Sequence, residues 1–133
     1  MQTLSVVVTT PPSSYLTITA IDFIKGAIEA GIDVVGIFFY QDGVLNASAN
    51  LSIPNDEFQT ANEWQKLHTI HNMSLHVCIS ACEMRGLTDE IDVDGNSPSG
   101  NNDQQSNINQ YFTVSGLGEL VELTSKSQRM VQF

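Results

Sequence analysis

Two cysteines stand four residues apart in "SLHVCISACEMRGL", Ser74 to Leu87, and His76 lies two residues before the first of them. A thiol in such a setting can pack as a small hydrophobe, ligate a metal, form a disulfide or act as a nucleophile. Cys78, Cys82 and His76 make a ligand trio on paper. Zinc knuckles draw four ligands from two separate pairs, however, and there is no second pair. His68 and His71 lie one turn apart on a helix-compatible stretch, yet no carboxylate or cysteine at suitable spacing completes a site. Glu90, Asp92, Asp94 and Gly95 imitate the start of an EF-hand loop, but the leading Asp is absent and Asn101 stands where the bidentate Glu belongs. A solvated acidic loop is the simpler reading. "SGLGEL" (Ser115–Leu120) carries G-x-G without the third glycine of a dinucleotide fingerprint and follows a late strand. Glycines that bring a helix close to a sheet account for it.

The elements that must position these residues alternate between two periods. "TLSVVVTT" (Thr3–Thr10) is β-branched and stops at Pro11–Pro12, as a strand leaving a sheet does. Ser13 or Ser14 caps a helix with Ala20, Ile24, Ala27 and Ile28 at helical spacing, and Gly31 suits its left-handed stop. "IDVVGIFFY" (Ile32–Tyr40) is almost continuously apolar, the mark of a strand covered on both faces. "QDGVLNASANLSIP" reads as a loop. From Asn55 to His71 a helix is expected, with Phe58, Ala61, Trp64, Leu67 and Ile70 spread over a broad buried face. "SLHVC" is a third strand, followed by a helix to Arg85 that Gly86 ends. Residues 88–110 are polar and expected to form a long, partly mobile excursion. "YFTVSGLGELVELTSKS" reads as strand, turn and helix, and "RMVQF" as a last strand. This order predicts one α/β domain over residues 1–133, a three-layer α/β/α sandwich around a mainly parallel five-stranded sheet.

The bulk composition bounds the function. The chain has 133 residues, 15 acidic and 5 basic, for a net charge of −10. Such a surface repels phosphate backbones, which argues against direct nucleic-acid binding. The N-terminus lacks a basic region and a long apolar run, so neither a signal peptide nor a membrane span is expected. The sequons at Asn46, Asn50 and Asn72 then carry no meaning, and a reducing cytoplasm suits two closely spaced thiols. Cys78 remains the residue of interest. In open α/β sheets function collects at the carboxyl ends of strands, and a helix start favours thiolate over thiol. Position alone leaves the nucleophile and the buried packing residue equally open.

Further residues carry a resemblance. "FFYQDGV" (Phe38–Val44) with Asn46, "DEF" (Asp56–Phe58) with Trp64, Val77–Cys78, Arg85–Gly86 with Asp89–Glu90, "SGLGEL" and the terminal "VQF" occur in order. In that order and spacing the chain resembles the DsrE/TusD family of small sulfur-relay proteins over nearly its whole length, leaning to the TusD branch. The resemblance implies a DsrE-like fold and a sulfurtransferase in which Cys78 carries a persulfide. Its expected route leads to 2-thiolation of the wobble uridine of tRNA. The alternatives are a DsrE-type subunit of sulfur oxidation and a non-catalytic assembly subunit with a structural thiol. Tyr40, Asp42 and Asn46, at the end of the preceding strand, are expected to form the wall beside Cys78 and meet a partner. No metal or organic cofactor is implied. The implied partners are small paralogous subunits of TusB/TusC or DsrF/DsrH type, an upstream persulfide donor and a cysteine-bearing carrier as acceptor. A hetero- or homo-oligomer follows, with an assembly face among Phe38, Phe39, Tyr40, Phe58 and Trp64. Two positions depart from the family pattern: Cys82 replaces a small alanine-like residue, and Met84 replaces a basic one. Cys82 could then serve as a resolving thiol or simply face the sheet.

Overall fold

The computed structural model describes residues 1–89 and 106–133. The acidic run Glu90–Asn101 and most of the expected polar excursion at 88–110 lie outside the described residues. Five strands form the sheet: β1 (Thr3–Val8), β2 (Asp33–Phe39), β3 (Leu75–Cys78), β4 (Thr113–Ser115) and β5 (Arg129–Gln132). Their order is β4-β3-β2-β1-β5, and every pairing is parallel. The chain crosses the sheet in one direction from β1 to β4 and then returns to pair β5 beside β1. Parallel neighbours require crossovers, supplied by α1 (Tyr15–Glu29), α2 (Thr60–His71), α3 (Ile79–Met84) and α4 (Leu117–Lys126).

Both faces of the sheet are covered, which explains the unbroken apolar run of β2. On one face Phe39 meets the edge of Trp64 from α2, with ring centroids 4.9 Å apart. An ion pair between Lys25 of α1 and Glu63 of α2 ties these two helices side by side, and Lys25 holds the Glu63 carboxyl below its ordinary range. On the opposite face lies α4. There a Cβ on Gly36 would stand 2.7 Å from Leu123 Cδ2, and Ser127 Oγ bonds Ser5 Oγ at 2.8 Å. The close helix-to-sheet approach therefore depends on Gly36 of β2. Gly116 and Gly118 of "SGLGEL" face open space, so the packing role expected of them is corrected.

Local signals explain the helix limits. Ser14 is the N-cap of α1, its hydroxyl accepting from the Leu16 N–H at 3.1 Å, and Gly31 adopts φ +82° just beyond the helix. Ala20, Ile21, Ile24 and Ala27 give α1 its buried stripe. The second helix begins at Thr60, five residues later than expected, because the chain turns at residues 55–57 and runs irregularly through 58 and 59. Its buried residues are Thr60, Trp64 and Leu67, a narrow stripe at spacings of four and three. Ile70 is 70% exposed, so the broad buried face is also corrected. Three members of the expected assembly face are corrected in the opposite sense. Phe38, Phe39 and Trp64 are wholly buried core residues, and burial of a side chain that large stabilises by roughly 2–3 kcal/mol. Tyr40, by contrast, is half-buried and Phe58 exposed.

Candidate functional site

Cys78 is the last residue of β3 and the N-cap of α3, with φ −67° and ψ 123°. The joint is tight because α3 begins at Ile79, with no loop residue between strand and helix. Gly86, at φ +75°, lets the chain leave the helix, and the Leu87 N–H closes on the Cys82 carbonyl at 2.9 Å. In the isolated chain Cys78 is 1% exposed. Cys82, one turn along α3, is equally buried, and both thiols are free. Burial, reinforced by the neighbouring Cys78, pushes the Cys82 thiol up to about 11. That makes Cys82 a poor nucleophile at neutral pH and ill suited to resolve a disulfide.

The stretch expected to be a loop wall is a 3-10 helix, Gln41–Ala47, packed against β3, α2 and α3. Tyr40 caps it in an extended conformation and donates its backbone N–H to the Val8 carbonyl at 3.0 Å. Gly43 lies so tightly on the end of β1 that a Cβ would come within 1.9 Å of Val8 O. Asn46 is buried with both ends of its amide engaged. Its Nδ2 donates to Thr10 O (3.0 Å) and Gly43 O (2.9 Å), and its Oδ1 accepts from Trp64 Nε1 at 3.0 Å. Asn46 thus braces the wall from inside, whereas the Asp42 side chain is 60% exposed at its rim. Arg85, on the residue after α3, reaches back to Asp42 Oδ1 with Nε and a terminal nitrogen, each at 3.0 Å. A second terminal nitrogen of Arg85 donates to the Ala81 carbonyl at 3.1 Å. The structure therefore brings the 3-10 helix and the helix of Cys78 together through a charged clasp.

His76, considered from sequence only as a metal ligand, has partners that the sequence did not indicate. His76 Nδ1 lies 3.0 Å from Ser115 Oγ, and His76 Nε2 lies 3.5 Å from Glu119 Oε1. Strand alternation could have placed His76 and Cys78 on one face. The contact with Ser115 spans 39 residues and needs the β3–β4 register, which puts Cys78 opposite Ser115. Burial keeps His76 below its ordinary range, against the opposing pull of the Glu119 carboxylate.

Of the other candidate ligands, His71 is exposed and His68 is used locally. His68 Nδ1 lies 3.0 Å from the Met73 carbonyl, and its ring packs on Tyr111. Among the described residues, no group of three His, Cys, Asp or Glu side chains is placed to hold a metal ion. Among the same residues, no helix is long and apolar enough to cross a membrane.

The chain has relatives in sequence and in fold. Sulfurtransferase TusD of Klebsiella pneumoniae subsp. pneumoniae is 38% identical over 115 residues, covering 86% of each chain. Sulfurtransferase TusD of Salmonella arizonae is 35% identical over 116 residues, again 86% of each chain. That of Yersinia pestis is 38% identical over 115 residues, covering 86% of this chain and 84% of its own. The solved structure of the ychN protein from E. coli shares the fold, with a TM-score of 0.74 over the full length of both chains at 16% identity. A family model, the DsrE/DsrF-like family, matches residues 2–133. The chain belongs to the DsrE/DsrF-like family.

Proposed function

We propose that this protein is a cytoplasmic sulfurtransferase subunit of the TusD type, which carries sulfane sulfur on Cys78 and relays it to another protein. The observation that carries the reading is the place of Cys78, at the carboxyl end of β3 where α3 begins, in a chain 35–38% identical to proteins named TusD. Loading is thiol–disulfide-type exchange. The Cys78 thiolate attacks the outer sulfur of a donor persulfide, the donor S–S bond breaks, and the donor thiol leaves. Discharge repeats the step with Cys78 as the persulfide and an acceptor cysteine as the attacking thiolate. The attacking sulfur must approach in line, so the reaction requires a docked partner, with Tyr40 and Asp42 at the rim where it would sit.

The excess of 15 acidic over 5 basic residues favours handing sulfur to proteins and leaving tRNA to a downstream enzyme. Small paralogous subunits and a cysteine-bearing carrier are the proposed company, and 2-thiolation of the wobble uridine is the proposed destination. One observation favours a second reading. Cys78 is 1% exposed, as a structural thiol in an assembly subunit would be. Complementation separates the two. In Klebsiella pneumoniae lacking its own TusD, the wild-type chain should restore 2-thiouridine in tRNA, and Cys78→Ser should not. Restoration by Cys78→Ser would establish the assembly role. No restoration by the wild-type chain would direct the search to sulfur oxidation.

A further inference from the structure

We propose that Ser115 and His76 form a proton path that takes the thiol proton of Cys78 during sulfur loading, with Glu119 holding the charge that results. The inference rests on the relay reading of Cys78. Its starting point is a requirement of that chemistry: only the thiolate attacks, and among the described residues the Cys78 thiol is free and has no side-chain hydrogen bond in the resting chain. The helix that starts at Cys78 has only six residues and so supplies a small dipole.

The sheet supplies what the helix does not. Cys78 pairs with Ser115 across the β3–β4 ladder, so the two side chains are same-face neighbours on strands about 4.8 Å apart. His76 precedes Cys78 by two residues and shares that face. Ser115 Oγ is already 3.0 Å from His76 Nδ1, so the hydroxyl on the ladder partner of Cys78 is bonded to a base and turns to the thiol when the proton leaves. Glu119 Oε1, 3.5 Å from Nε2, favours the tautomer with hydrogen on Nε2 and leaves Nδ1 as the acceptor. Burial keeps this imidazole neutral at pH 7, ready to accept a proton. The groups facing the ring are Ser115 from β4, Glu119 and the more distant Lys126 from α4, and apolar Phe38 from β2. Glu119 favours the imidazolium, and Lys126 opposes it.

The step balances. Ser115 Oγ accepts the proton from Cys78 Sγ while giving its own to His76 Nδ1. The Cys78 thiolate forms a bond to the outer sulfur of the donor persulfide, and the donor S–S bond breaks with its electron pair leaving on the donor sulfur. That thiolate is protonated by water, and His76 returns its proton to solvent when the donor departs. Sulfane sulfur changes carrier with no net oxidation. His76 and Ser115 act through Cys78 and are positioning residues in this scheme.

The test is the pH dependence of sulfur uptake from glutathione persulfide, followed by mass spectrometry in the Cys82→Ser background. His76→Asn keeps an oxygen acceptor for Ser115 but cannot take a proton at neutral pH, and Ser115→Ala removes the bridge with little change in volume. Both should load about tenfold or more slowly at pH 7, within the range of general base effects. The gap should narrow as pH rises, because hydroxide then removes the thiol proton without the path. In the parent, uptake should fall as acid charges His76, at a pH below the ordinary histidine range, a step that His76→Asn should lack. Wild-type rates and profiles in both variants, with unchanged melting, would overturn the proton path. Cys78→Ser distinguishes the two levels: uptake that persists in it would overturn the relay reading itself.

Discussion

Arg85 grips Asp42 with two nitrogens on one carboxylate oxygen, each at 3.0 Å, and so ties the segment after α3 to the 3-10 helix that follows β2. These two segments flank the joint occupied by Cys78. The pair lies at the rim, where the Asp42 side chain is 60% and the Arg85 side chain 25% exposed. An ion pair so placed contributes less than about 1 kcal/mol to stability. Its structural effect is to tie the 3-10 helix to the segment that follows the helix begun at Cys78, whose thiol is 1% exposed.

Asp42→Ala should therefore leave the unfolding midpoint almost unchanged and speed iodoacetamide labelling of Cys78 several-fold, measured in the Cys82→Ser background. An unchanged labelling rate would mean that access to Cys78 is set elsewhere.

The wall itself depends on Gly43. Any side chain there meets the Val8 carbonyl, since even a Cβ would come within 1.9 Å of its oxygen. Gly43→Ala must push the 3-10 helix off β1, breaking the Tyr40 N–H to Val8 O bond and disturbing the buried Asn46–Trp64 pair. A loss of about 1–3 kcal/mol in urea unfolding is expected. A neutral substitution would show that the contact with β1 is not maintained in solution.

Cys82 gives a stability change with a defined sign. Its thiol is held until about pH 11 in the folded chain, against an ordinary value near 9 when unfolded. Above pH 9 the unfolded chain has lost this proton and the folded chain has kept it. The unfolded state then binds fewer protons, and stability falls as pH rises. The contribution is fully present below pH 9 and fades between about 9 and 11, on the order of 2 kcal/mol in all. Urea unfolding at stepped pH should show this decline in Cys78→Ser and a shallower one after further replacement of Cys82 by Ala. Equal slopes would contradict the buried, unreactive role assigned to Cys82.

Much of this was legible in the sequence because the strands declare themselves. The apolar run Ile32–Tyr40 could only be a strand covered on both faces, and the Ser74–Cys78 run led directly to a helix start. Parallel pairing and the joint at Cys78 followed from those features. Phe58 has helical spacing with the residues that follow, yet the chain turns at residues 55–57 and is irregular through 58 and 59, which leaves Phe58 37% exposed. The 3-10 helix at Gln41–Ala47 carries no apolar period, since its order comes from Gly43 lying on β1 and from the Asn46 amide. Asn46 with Trp64, Asp42 with Arg85 and His76 with Ser115 join residues 18, 43 and 39 apart. Only the folded register brings such pairs together, so the thiol was visible in the sequence and its surroundings were not.

The central claim is that Cys78 carries sulfur, and the most direct measurement is the intact mass after incubation with a cysteine desulfurase and cysteine. The wild-type chain and Cys82→Ser should each gain the mass of sulfur, which a reductant removes, and Cys78→Ser should gain none. Reductant-sensitive sulfur on Cys78→Ser together with its absence from Cys82→Ser would contradict the account and make Cys82 the carrier.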